Sequence, residues 1–295
     1  AYESIIEYLE GLDKPAHLDV YMDMTETTEV AGEAVPALRA LLADSSTREA
    51  AVSAIVAEAT RVYSELGYSP YSGVTIDFEG LREQDKAGFS AFITLLGQQL
   101  HQQGLKLHVT VQPMVYNDRY FDGFDYRAIG DASDKVILMA HDYQATDLNG
   151  LVGTTWQNRT PLTPFAQVYY ALRGATDSET GVRDVSKLAL AISFSTVVWE
   201  LDGAGRVASA QRVTPAPSTL AQRMAQSDAQ LGWSAEYRNP YVVYSTGDKT
   251  YHVWYEDNRS VGDKITLAKL FGITGVSIWR IGTIPDTEPY VVTLP

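Results

Sequence analysis

Cysteine is absent from all 295 residues, which removes disulfides, thiolate nucleophiles and Cys-ligated zinc together. Basic side chains are scarce: 23 Lys and Arg stand against 37 Asp and Glu, a formal net charge of −14. A chain this acidic lacks the clustered cations that a nucleic-acid backbone or an anionic membrane surface requires, so neither is expected as a partner. No apolar run approaches the roughly 18 residues needed to cross a bilayer. The opening AYESIIEYLE has neither the basic nor the apolar region of an export signal, which points to a mature or trimmed start. No strand is followed by G-x-G-x-x-G and no G-x-S-x-G elbow occurs, which disfavours a dinucleotide enzyme and a Ser-His-Asp hydrolase. Internal repeats and low-complexity linkers are also missing.

What remains is ordinary globular composition, 45% hydrophobic and 20% charged, enough chain for one large domain with a sizeable core. Eighteen Tyr, eight Phe and five Trp are first of all core material, although flat rings also stack on sugars. Periodicity predicts a helix at the start (Ile5, Ile6, Leu9, ending near Gly11) and strands at 17–24, 73–79, 105–113, 134–143, 187–194 and 273–282. Helices are predicted at about 46–66 (Ala51, Ile55, Ala59 and Val62 on one face, Gly67 as stop), 84–103, 163–174, 218–231 and 259–271. YVVYS and YHVWY flank a turn at Gly247-Asp248 and read as an antiparallel hairpin.

Near-continuous apolar strands alternating with helices imply a parallel sheet covered by helices. At this length an α/β fold of the TIM (β/α)8 barrel type is the best solution, with a doubly wound open sheet as the fallback. The chain reads as a single domain, 1–295, with a small α+β insertion at about 200–258, before the last strand. Six strands, rather than eight, are convincing.

The strongest chemical signal lies in Gly73-Val74-Thr75-Ile76-Asp77-Phe78-Glu79. Side chains alternate across a strand, so Val74, Ile76 and Phe78 face the helices and Thr75, Asp77 and Glu79 face the interior of a barrel. Burying two carboxylates costs several kcal/mol unless they are hydrogen-bonded or protonated. Glu79 falls at the carboxyl end of its strand, where such barrels carry active sites. Two acids two residues apart couple, so one is expected to keep its proton toward neutral pH, an acid catalyst beside its tuner. The competing reading is an exposed edge strand with solvated acids.

SGVTIDFEG resembles the catalytic strand of glycoside hydrolase family 18, the chitinase-like barrels, whose pattern is D-x-x-D-x-D-x-E. Glu79 and Asp77 match its last two acids; Ser72 and Thr75 stand where its two earlier Asp would be. LMAHDY (138–143) resembles the family's M-x-Y-D strand end, matched at Met139 and Asp142, with His141 in place of Tyr. GVSIWRIG (275–282) looks like the last barrel strand, whose Trp, here Trp279, floors the sugar subsite. The stretch from His252 to Gly282 is similar to the spore-germination, cortex-lytic branch, and the similarity runs from about residue 17 to the end. In the family the Glu-bearing strand is the fourth, yet one clear strand precedes Gly73. Either residues 1–16 hold strand read as helix, or the chain begins after the first two strands.

The resemblance implies substrate-assisted, retaining hydrolysis of β-linked N-acetylglucosamine glycans, peptidoglycan of the spore cortex before chitin, with no metal and no cofactor. Glu79 would be the acid and base, and Asp77 would orient the acetamido group. Asp142 and His141 would hold that group and the intermediate, Met139 would line the pocket, and Trp279 would floor it. Thr75 can hydrogen-bond Asp77 but cannot take its charge, so an altered pH profile is expected. Tyr143 points away from His141 if the strand stays regular. Gln112 is an expected inward polar contact to substrate, and Trp156, Trp199 and Trp254 are either platforms or packing. A monomer acting outside the cell, at the wall or spore surface, follows from the same resemblance. The alternatives are a non-catalytic glycan-binding barrel and a structural protein of the spore or envelope.

Overall fold

A computed structural model describes residues 16–280 apart from 65, 117–118, 144–147, 160–161 and 211–216. The helix expected at the start and the last residues of the final strand lie outside the described residues. Contacts divide the chain into two compact units: Ala1–Val115, Arg119–Leu138 and Gly174–Ala189 form one, Tyr116–Asp118, Met139–Arg173 and Leu190–Pro295 the other.

The first unit opens with β1 (Ala16–Met22), a hairpin of β2 (Thr27–Val30) and β3 (Glu33–Pro36), and helices Ala37–Ala43 and Ser45–Ala59. Along the chain then come β4 (Tyr71–Phe78), helix Glu83–Gln102, β5 (Lys106–Val111), the two-residue strands β6 (Val115–Tyr116), where residue 116 counts with the second unit, and β7 (Arg119–Tyr120), helix Tyr126–Ala132 and β8 (Lys135–Leu138). β1 pairs with β4, β4 with β5 and β5 with β8, every pair parallel. Val74, Ile76 and Phe78 are buried on one face of β4, where Phe78 lies 5.4 Å from Phe92 and 5.9 Å from Phe89 of the following helix. That helix starts where Asp85 accepts from the Arg82 amide at 3.0 Å while Arg39 clamps the same carboxylate at 2.9 and 3.2 Å.

The helix predicted over 46–66 is shorter. Asp44 caps its start by accepting from the Thr47 amide, and it ends at Ala59, where the Thr60 hydroxyl donates back to Val56 O at 2.8 Å. Gly67, with φ +75°, closes a later turn in which its amide donates to Tyr63 O at 2.8 Å. The buried positions are Val52 and Ala59, while Val62 is 63% exposed, so the apolar stripe drawn through Val62 is not the packed face. Leu38 and Leu42, on the unpredicted helix before it, fill the core instead.

In β9 (Leu188–Ser193), residues 188–189 fall in the first unit and 190–193 in the second. The second unit continues with β10 (Val197–Leu201), helix Pro217–Met224, β11 (Gln230–Ser234), β12 (Asn239–Thr246), β13 (Lys249–Trp254), helix Asn258–Leu270 and β14 (Gly275–Trp279). Its antiparallel sheet runs β10-β13-β12-β11, and β12 and β13 close at Thr246↔Lys249 over Gly247-Asp248, the predicted hairpin. The helix predicted over 218–231 stops at Met224, because Gln230–Ser234 pairs with β12 from Val243 to Asn239. Alternation gives the sheet two apolar faces. Val198, Val242, Val253 and Tyr244 pack with Leu220 and Met224, whereas Val197, Trp199 and Trp254 pack with Leu162 and Val207.

A buried ion pair fixes the segment after β13. Glu256 and Lys264 have fully buried side chains. Lys264 Nζ donates to both Glu256 oxygens at 2.9 and 2.7 Å and to Asn239 Oδ1 at 3.2 Å. Asn239 Nδ2 (2.8 Å), Ser260 Oγ (2.6 Å) and the Thr163 hydroxyl also donate to Glu256. With every lone-pair direction occupied, the desolvated carboxylate is tolerated.

Candidate active site

On the face of β4 opposite Val74, Ile76 and Phe78, strand pairing turns alternation into rows. Asp19 pairs with Thr75 and Thr75 with His108; one step along, Tyr21 pairs with Asp77. Asp77 is buried at 7% exposure, and its Oδ1 accepts a 2.5 Å hydrogen bond from Thr110 of β5. Glu79 follows the last residue of β4 and is half-buried. Its amide donates to Met22 O at 2.8 Å, and the next amide, Gly80 N, donates to Gln112 Oε1 at 2.7 Å. Gly80 takes φ +79°, the left-handed turn that glycine accommodates without strain.

The charges on this face act on one another. Partial burial and then the Asp77 carboxylate raise the Asp19 carboxyl above its ordinary range. Tyr21 is pushed up to about 12 by partial burial, its bond to Asp23 and the charges of Glu79, Asp23 and Asp77. Its hydroxyl donates to Asp23 Oδ2 at 2.9 Å, and Asp23 in turn accepts from the Thr25 amide and hydroxyl. Below Asp77, Thr75 meets His17 Nδ1 at 3.2 Å. The His17 and His108 rings lie 4.1 Å apart between centroids, tilted by 44°. Burial lowers both imidazoles, His108 to about 4 with help from His17, so both are neutral at pH 7. This approach is open because Gly73 has no side chain: a Cβ there would sit 2.5 Å from Lys106 O and 2.7 Å from the His17 ring.

The remaining predicted residues, Met139, His141, Asp142 and Trp279, belong to the second unit. The strand predicted through Tyr143 ends at Leu138. Asp142 then turns with φ +58°, so strict alternation no longer sets Tyr143 opposite His141; both are buried. His141 Nδ1 lies 2.9 Å from Asp142 Oδ2, and Ser193 Oγ donates to Asp142 Oδ1 at 3.2 Å. Met139 is partly buried. Trp279 ends β14 and is 48% exposed, and its carbonyl accepts from the Phe194 amide at 3.2 Å. Among the described residues no group of three or more His, Asp or Glu is arranged to hold a metal ion, and no helix is long and apolar enough to cross a membrane.

Residues 33–283 match the profile of glycosyl hydrolases family 18. The chain belongs to that family. The cortical fragment-lytic enzyme of Bacillus subtilis is 25% identical over 249 residues, 83% of this chain and 52% of that protein. The chain therefore spans about half the length of the curated relatives it matches. Among solved structures, a chitinase from Chromobacterium violaceum superposes with a TM-score of 0.73 at 25% identity, over 97% of this chain and 81% of its own. The Bacillus megaterium spore cortex-lytic enzyme SleL gives 0.71 at 20% identity, over 95% and 59%. These likenesses bear out the TIM-barrel type of α/β fold, represented here in part, with the six expected strands present.

Thr75, expected from the resemblance to stand at an Asp position, bonds His17, while Thr110, from the next strand, supplies the short bond to Asp77. Sequence reading missed Thr110, Asp19 and Tyr21, whose relevance depends on strand register. Alternation in HLDVYMDM was the signal available for Asp19 and Tyr21. Gln112 reaches the Gly80 amide. Trp199 and Trp254 are core, and Trp156 packs against them.

Proposed function

We propose that this chain carries the catalytic centre of a glycoside hydrolase cleaving β-linked N-acetylglucosamine glycans. Glu79 at the carboxyl end of β4, two residues beyond an Asp77 held by Thr110, carries that reading. Glu79 protonates the glycosidic oxygen as the bond to the anomeric carbon breaks. The sugar's own 2-acetamido oxygen attacks that carbon from the opposite face, forming an oxazolinium ion. Asp77 accepts from the acetamido N–H and offsets the ring's positive charge. Glu79, now a carboxylate, takes a proton from water as the water opens the ring, and two inversions give net retention. For the second unit, the family resemblance supports His141, Asp142, Met139 and Trp279 as contacts to the sugar. Neither a metal nor a cofactor enters this scheme.

Cortex peptidoglycan is the favoured substrate over chitin, supported by the cortex-lytic relatives, and action at the spore or cell wall follows. The chain acts as a monomer, as one domain in which residues 200–258 are an insertion. Cortex fragments and chitin oligomers are incubated with the protein and with Glu79→Gln, and products and thermal protection are measured. The expected result is cleavage at N-acetylglucosamine by the parent and a loss on the order of 1,000-fold in Glu79→Gln, with glycan protection retained. Glycan protection without cleavage by the parent would replace this reading with a glycan-binding barrel. Neither protection nor cleavage would leave a structural role.

A further inference from the structure

We propose that Gln112 is a positioning residue for Glu79 rather than a contact to sugar. This rests on the reading of Glu79 as the catalytic acid. Two amides flank the Glu79 Cα, and each is tied to a different neighbouring strand segment. Glu79 N–H donates to Met22 O of β1 at 2.8 Å, and Gly80 N–H donates to the Gln112 side chain just past β5 at 2.7 Å. The second tie falls where β4 has ended at Phe78 and the chain swings through φ +79° at Gly80. A side-chain acceptor there replaces a ladder bond and fixes the direction in which Glu79 leaves the sheet.

The anchor is itself anchored. Gln112 O accepts from the Tyr126 hydroxyl at 2.8 Å, and Tyr126 is buried at the first turn of helix Tyr126–Ala132. An amide N–H can be met only by the Gln oxygen, so the orientation of the side-chain amide is determined, and that oxygen is committed to the backbone. Glutamine is also the neutral choice. Glutamate would accept the same hydrogen bond but place a second negative charge beside Glu79, which raises the acid's pKa.

Steady-state kinetics on the glycan that the parent cleaves, with melting curves, test this in Gln112→Leu and Gln112→Glu. Gln112→Leu is expected to lower kcat about 10- to 100-fold with KM changed by less than about two-fold, the signature of a misaimed catalytic group. Gln112→Glu restores most of that loss, with the alkaline limb of its kcat profile moved up by at least about 0.5 pH unit. A rise in KM with kcat intact in Gln112→Leu would make Gln112 a sugar contact and overturn the proposal. So would a lowered melting temperature with full activity per folded molecule, or an unmoved alkaline limb in Gln112→Glu. Should Gln112→Leu not fold, the limb of Gln112→Glu decides alone. If Glu79→Gln stays active, the reading of the whole site fails; if it is dead while Gln112→Leu matches the parent, this inference alone fails.

Discussion

Replacing Lys264 by Met removes one charge from the pair with Glu256 while keeping an unbranched apolar stem of similar length. Glu256 is then a fully buried carboxylate without its cation, and Asn239 loses its 3.2 Å donor. Removing one partner of a buried pair costs about 3–5 kcal/mol. An independent ceiling comes from protonation. Glu256 escapes by binding a proton, which at pH 7 costs about 3.7 kcal/mol from an ordinary pKa near 4.3, and at pH 5 only about 1 kcal/mol. A buried carboxylate stripped of its cation favours its neutral form, so the penalty is smallest at low pH and grows as pH rises. Urea unfolding followed by tryptophan fluorescence at both pH values gives the difference directly. The expected penalty is about 3–4 kcal/mol at pH 7, shrinking by at least half at pH 5. Adding Glu256→Gln to Lys264→Met is expected to abolish the pH dependence of that penalty, measured against Glu256→Gln alone. A penalty under about 1 kcal/mol at pH 7, or one equal at both pH values, would refute the reasoning.

His252 stacks on Tyr241 at 4.8 Å and is held down to about 4 by burial. The unfolded imidazole binds its proton near pH 6.5 and the folded one does not, so the stabilisation is whole above 6.5 and lost as pH falls toward 4. At pH 5 that loss is about 2 kcal/mol, and His252→Phe should flatten the fall in melting temperature between pH 7 and pH 5; an unchanged slope would contradict the assignment. Thr110→Val deletes the 2.5 Å bond to Asp77. A hydrogen bond to a charged group is worth about 1.5–3 kcal/mol, so kcat/KM should fall about 10- to 100-fold. Activity within about two-fold of the parent would show that Thr110 does not hold Asp77 for catalysis.

The legible parts of this sequence were those governed by local pattern. Val74, Ile76 and Phe78 alternate with Thr75, Asp77 and Glu79, and a period of two is enough to sort them onto opposite faces. The hairpin at Gly247-Asp248 was equally plain. Three losses have different physical origins. Helical propensity continues past Ala59 toward residue 66, whereas the Thr60 hydroxyl and the turn through Tyr63 end the helix. QLGWS at 230–234 is weak strand sequence and becomes β11 through pairing with β12. Thr110, Asp19 and Tyr21 matter only through register, which one strand's sequence does not encode. Gln112 was identified by its position, yet its partner is a backbone amide 32 residues away.

The glycine at position 73 has a consequence for anyone redesigning this face. The obstacle to a Cβ there is partly backbone, the carbonyl of Lys106 at 2.5 Å, and a carbonyl cannot be trimmed by mutation. Shrinking His17 alone therefore does not license a larger residue at 73. The adjustable parts of the floor beneath Asp77 are the two neighbouring imidazoles, His17 and His108. Libraries that remodel the floor gain by varying those two together and holding the glycine constant. The position without a side chain is thus the fixed point about which the others can be exchanged.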